Sequence, residues 1–150
     1  MGDVVDEGHP LPRVGFVGIG RMGGPMCANP LWFGQAVATA EALLLGQSAG
    51  IDLGTLRRTL ADSAAGSDFI DRDLDALLAG DYLTSFGLDR VCEELSTTTA
   101  LAREHQVPFE LSRLVERTYR RALTRFGAVD GELLAVALLE EEAGRLLRSD

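Results

Sequence analysis

Lysine is absent: all 14 basic side chains among the 150 residues are arginine. A guanidinium stays protonated and can clamp a carboxylate or phosphate, but it serves neither as a proton-shuttling amine nor as a Schiff base near neutral pH. Mechanisms that need a lysine are therefore excluded. Cysteine is scarce as well. Cys27 and Cys92 are too few for a disulfide framework and lack metal-ligand spacing, and His9 and His105 are far apart with no cysteine beside them, so no metal site is expected. No uninterrupted run of about eighteen apolar residues occurs, so no membrane span is expected. Residues 1–13 are acidic and proline-containing without a hydrophobic core of a signal peptide, and read as a flexible leader to a cytoplasmic protein. Positive charge is in deficit: the formal net charge of −9 disfavours nucleic acid and anionic membrane as partners. A small organic molecule or another protein is the expected partner.

What is present is ordinary globular material, with 46% apolar residues at the length of one domain. Asn29-Pro30 reads as a helix opening, with asparagine as cap and proline at the first helical position. A helix follows over 31–48, Ala/Leu-rich and apolar around most of its circumference, the signature of a helix buried centrally or shared with a partner chain. Gly50 closes it and Asp52 caps the next. Further helical segments are expected at 53–63, 68–79, 86–106, 109–126 and 131–147, separated by turn residues. Trp32 and Phe33 read as core or dimer contacts, and Glu140-Glu141-Glu142 as a solvated helix face. The expected fold is all-α, a helical bundle preceded by one short vestigial β-strand at Val14–Ile19.

That strand leads into Gly18-x-Gly20-x-x-Gly23, the spacing that turns a backbone sharply towards a pyrophosphate at a helix N-terminus. A dinucleotide fold also needs a second parallel strand and an acidic residue about twenty positions on. Glu41 has the distance, but it lies inside the helical pattern, and no crossover to a second strand exists. Three readings stay open: a structural remnant whose strand pairs across a dimer, residual NAD(P) binding, and anion binding at the glycine turn.

The longer stretch from Gly15 to Asn29, with Met22 and Pro25-Met26 around the glycines, resembles the N-terminal signature of the β-hydroxyacid dehydrogenases. This is the family of 3-hydroxyisobutyrate dehydrogenase, to which imine reductases are related. Glu41-Ala42-Leu43, Gly50-Ile51-Asp52, Gly80-Asp81-Tyr82, Phe86-Gly87-Leu88 and Val107-Pro108 resemble landmarks of the family's C-terminal helical domain. The resemblance implies three parts: a leader at 1–13, a remnant of the dinucleotide motif at 14–29, and a helical dimerisation and substrate domain at 30–150. Most of a nucleotide-binding domain would be missing between the last two. It also implies an intertwined homodimer sharing the long helix. The family's catalytic lysine position falls on Pro25, one turn before Asn29. Its cofactor-contacting Lys-Asp pair falls on Glu93 and Glu94.

A carboxylate in place of a cation repels phosphate, so no cofactor is expected, with NAD(P) as the alternative; Gly18, Gly20 and Gly23 would be a non-functional remnant of a cofactor site. Glu93 also reads as a plain solvent-exposed residue and Asn29 as a plain helix cap. The favoured function is a repurposed, non-redox small-molecule binder in dimeric form, assisting an acid/base step such as cyclisation, isomerisation or elimination. Glu93 and Glu94 are its candidate acids or bases, with Tyr119 and Asn29 as hydrogen-bonding partners. The competing functions are an NAD(P)-dependent oxidoreductase that takes its cofactor fold from another chain, and a protein-interaction or regulatory module.

Overall fold

The computed structural model describes residues 24–148. The leader, the strand at Val14–Ile19 and the glycines Gly18, Gly20 and Gly23 lie outside them. Seven helices follow in order: α1 (Gly24–Ser48), α2 (Leu53–Ala61), α3 (Asp68–Arg72), α4 (Leu74–Leu78), α5 (Leu88–Glu104), α6 (Glu110–Phe126) and α7 (Leu134–Ala143). Among the described residues the one β-type pairing is an isolated antiparallel bridge between Gly87 and Asp130.

Helix α1 runs for 25 residues, about 37 Å at 1.5 Å per residue. It does not open at Asn29-Pro30. It opens at Gly24, and Pro30 sits inside it. The expected cap fails because Pro30 removes a single helical hydrogen bond near the N-terminal end, a cost that burial of the long apolar helix outweighs. The Met26 carbonyl, left without its helical donor, instead receives a long contact of 3.4 Å from the Thr98 hydroxyl of α5. At the other end the expectation holds: Gly50 lies at φ +85°, a conformation that glycine adopts without a Cβ penalty. Asp52 then accepts the Thr55 N–H at 2.8 Å, a bond that holds its carboxyl below the usual range.

Two apolar cores lie along α1. The C-terminal half, with Ala36, Ala40 and Leu43, packs with Leu53 of α2, Phe69 and Ile70 of α3, Leu74 and Leu77 of α4, and Val136 of α7. The N-terminal half, with Phe33 and Val37, packs with Leu88, Val91 and Leu95 of α5, Val115 and Tyr119 of α6, and Ala135 and Leu138 of α7. Trp32 touches both. Its ring meets Phe33 and Phe69 edge-on at 5.1 and 5.6 Å, and its indole N–H donates to Asp73 at 3.1 Å. Asp73 stands where the expected single helix over 68–79 breaks into α3 and α4. The break supplies the acceptor a half-buried indole requires.

Helices α5 and α7 begin later than their sequence patterns, at 88 and 134, because the residues before them pair with each other. Leu88 N–H donates to Val129, Gly131 to Phe86, Glu132 to Leu83 and Leu133 to Tyr82. Backbone groups outside helices need such partners when they approach the core.

Glu140 is a correction. Expected on a solvated face, it is 1% exposed, while Glu141 and Glu142 are exposed and pair with Arg125 and Arg121 of α6. Gly144 ends α7 in the left-handed region at φ 62°. The chain then doubles back and buries Leu147 completely. Glu140 accepts the Leu147 N–H at 2.6 Å and the Arg148 guanidinium at 2.9 Å, together with the Tyr82 hydroxyl. Arg148 also donates to that hydroxyl at 2.6 Å. A buried carboxylate is tolerated only with such full satisfaction, and its three donors lie on a segment and a turn that helical periodicity does not see. Glu140→Ala should cost about 3 kcal/mol by orphaning these donors, whereas Glu141→Ala should stay within about 0.5 kcal/mol. Urea denaturation midpoints at unchanged slope read both.

Candidate functional site

Of the four candidate residues, the structure joins two. Asn29 projects from the first turns of α1 and its amide donates to Glu94 of α5 at 2.6 Å. Both are half-buried. Pro30 and Thr98 place this contact: the proline-interrupted turn presents the Met26 carbonyl to Thr98, one helical turn from Glu94, so the N-terminal end of α1 is drawn onto the middle of α5 there. The amide donor occupies one carboxylate oxygen of Glu94, which retains lone pairs for a further donor.

Glu93 is exposed and lines a separate groove of about 670 Å³ between α5 and α6, with Asp89, Cys92, Ser96, Thr97 and Arg120. Arg120 is engaged by Glu116 at 2.8 Å and Ser96 at 3.0 Å. Burial pushes the Cys92 thiol up to about 11, against the pull of nearby Arg120, so it is a packing residue rather than a nucleophile.

Tyr119 does not belong to a site. It is 0% exposed, its ring packs edge-on against Phe33 at 5.1 Å, and its hydroxyl donates to the Glu132 carbonyl at 2.9 Å. Complete burial raises its pKa well above the usual phenol value. The apolar α6 stripe that carries it is the physical reason: Val115, Tyr119 and Ala122 repeat at helical spacing and all face the core. Thr98, Ser96 and Arg120 were not singled out in the sequence. The run Thr97-Thr98-Thr99 at the centre of α5 was the available signal, since threonines mid-helix find acceptors one turn back.

On the other side of α1 two adjoining hollows, of about 430 and 410 Å³, share Gly34, Ala38, Leu111 and Val115. They form one open apolar trough between α1 and α6, with Glu41, Arg117 and Arg121 towards one end and Cys27 and Phe109 towards the other. No group of three or more metal-ligating side chains is gathered among the described residues. Nor is any described helix long and apolar enough to cross a membrane.

A family model described as the NAD-binding of NADP-dependent 3-hydroxyisobutyrate dehydrogenase matches residues 25–139. The chain belongs to this family. The fold agrees: the crystal structure of 3-hydroxyisobutyrate dehydrogenase from Salmonella typhimurium superposes with a TM-score of 0.69 over 77% of this chain, at 18% identity. The chain spans 41% of the length of that dehydrogenase, and the shared part is its helical bundle. No curated protein sequence matches the chain.

Membership raises the question of whether the described residues fit a dinucleotide. A pyrophosphate needs cations or free N–H donors. The α5 face offers Asp89, Glu93 and Glu94, and Arg120, the one cation lining the groove, is already held by Glu116 and Ser96. The α5–α6 groove therefore offers no free cation for a pyrophosphate.

Asn29→Asp would remove the amide donor and set a second carboxylate against Glu94, so the variant should fall about 1–2 kcal/mol below the parent at pH 7 by urea midpoints. Cys92 should resist a thiol reagent at neutral pH in the native protein and react on unfolding, as followed by mass spectrometry.

Proposed function

We propose that this chain is a non-redox member of its family, a helical module that binds a small organic molecule through Glu94. The observation that carries the reading is the 2.6 Å contact from Asn29 to Glu94. It fixes a half-buried carboxylate between α1 and α5, at the end of the bundle where the family resemblance places cofactor and substrate. A carboxylate oriented by an amide donor accepts a hydroxyl or amine of a ligand, and can take up and return a proton. That supports an acid/base step such as cyclisation, isomerisation or elimination. Glu93, one residue before it and exposed, adds negative potential and favours a neutral or cationic ligand over a phosphate.

The absence of lysine supports the same reading from the chemical side, because arginine cannot take the place of an ammonium as a proton donor near neutral pH. The competing reading, an NAD(P)-dependent oxidoreductase completed by another chain, draws on the NAD-binding character of the family. Calorimetric titration with NADH and with NADPH separates them. The non-redox reading expects no binding at micromolar affinity by either nucleotide. Micromolar binding of either nucleotide by the parent protein would return the protein to redox chemistry.

A further inference from the structure

Residues 144–148, which follow α7, tie together three parts of the chain that are distant in sequence. Gly144 turns the backbone in the left-handed region, and a Cβ added there would meet nothing, so it acts as a hinge. Beyond it the Leu146 carbonyl accepts the Gln47 amide from the last turn of α1 at 3.1 Å, Leu147 enters the core, and Arg148 reaches the turn after α4. There its guanidinium lies over the Tyr82 ring at 5.3 Å. It passes so near Gly80 that a Cβ on that glycine would meet Arg148 Nε at 3.0 Å. Glu140, Tyr82, Arg148 and the Leu147 N–H share one hydrogen-bond network. Groups that share partners in this way are made and broken together.

Closure of this strap carries two costs. The first is at Gln47, whose Oε1 is buried without a donor; an unpaired buried acceptor favours any state that hydrates it. The second lies in the turn that Arg148 clasps. Gly80 sits at φ +90° and Leu83 at φ +56°, and the left-handed region is unfavourable for a leucine. A strained residue persists only where its surroundings hold it. The Leu83 N–H donates to Asp81 at 2.8 Å, its carbonyl accepts the Glu132 N–H at 2.9 Å, and the Tyr82 carbonyl accepts the Leu133 N–H at 2.9 Å. The same pairing continues through Gly131 and Phe86 to Leu88 and Val129, where α5 begins. Arg148 fixes Tyr82 from outside this pairing, so the strap, the strained turn and the start of α5 are mechanically joined.

We propose that residues 145–148 are a latch that opens as a unit while the bundle stays folded, and that its closure holds the strained turn from which α5 starts. Opening breaks one buried leucine's contacts and one polar network, and leaves the hydrogen bonds inside the long helices intact. In the open form water reaches Glu140 and Gln47 Oε1, and Leu83 can relax. Opening and closing do not depend on what Glu94 binds.

Amide hydrogen exchange followed by NMR at increasing urea tests the latch. In the parent protein the Leu147, Leu133 and Leu88 N–H groups should exchange through one shared opening that is nearly independent of urea. Ala40 in α1 and Leu95 in α5 should exchange more slowly and with steep urea dependence, as groups freed only by global unfolding do. Arg148→Gln removes a charged donor and should speed exchange at all three latch positions about tenfold, still without urea dependence and with unchanged helical circular dichroism. Gln47→Met, which removes the orphaned oxygen, should slow exchange at the same three positions. Steep urea dependence at Leu147 in the parent, no change there in Arg148→Gln, acceleration at Leu147 without Leu133 and Leu88, or faster exchange in Gln47→Met would each overturn the proposal.

Discussion

The fold depends on covering one helix. An α-helix that is apolar on nearly all sides has no stable place in water, and α1 is too long to be hidden by a single neighbour. Its N-terminal half is covered by α5, α6 and α7, and its C-terminal half by α2, α3, α4 and α7. The remaining helices are short or amphipathic and take their positions from it. Trp32 stands where the two covers meet. Because its indole touches both cores and donates to Asp73 between α3 and α4, a smaller residue there would leave a void shared by both cores and orphan that acceptor.

Much of this was legible in the sequence where signals are local. Gly50, Asp52 and Ser67 act as caps or stops because the relevant donors lie within three residues of them. The all-α class followed from apolar spacing in α5 and α6, whose buried residues recur each turn. What escaped was decided by partners distant in sequence. Asn29 had every property of a cap, yet its amide goes to Glu94, 65 positions away. Glu140 sat in an acidic run that reads as solvent-facing, yet its donors include Tyr82, 58 positions back. Tyr119 looked like a polar group available to a ligand, and its hydroxyl is consumed by the carbonyl of Glu132 across a turn. In each case the residue type was informative and its destination was not, because a polar side chain is satisfied by whichever complementary group packing brings near.

The family match and the local chemistry speak to different levels. The match fixes descent and bundle. Chemistry resides in particular side chains, and here carboxylates stand on α5 where the family resemblance leads one to look for a cation and its partner. Glu94 has gained a fixed orientation from Asn29, whereas Glu93 has only solvent and a groove. The asymmetry separates the two residues in role although they are adjacent and identical: a carboxylate held in place can present its free lone pairs to a bound molecule, and an unheld one mainly contributes potential.

Geometry also gives α1 two distinct flanks. Asn29 and Ala38 are nine residues apart, about two and a half turns at 3.6 residues per turn, so they point to opposite sides of the helix. The polar contact with α5 lies on one flank, and the exposed Leu31, Ala38 and Leu45 lie on the other. The two flanks meet at Thr98 of α5, whose hydroxyl donates to the Met26 carbonyl that Pro30 leaves without a helical donor and which also lines the trough on the far side, so a change in the turn around Pro30 is felt on both.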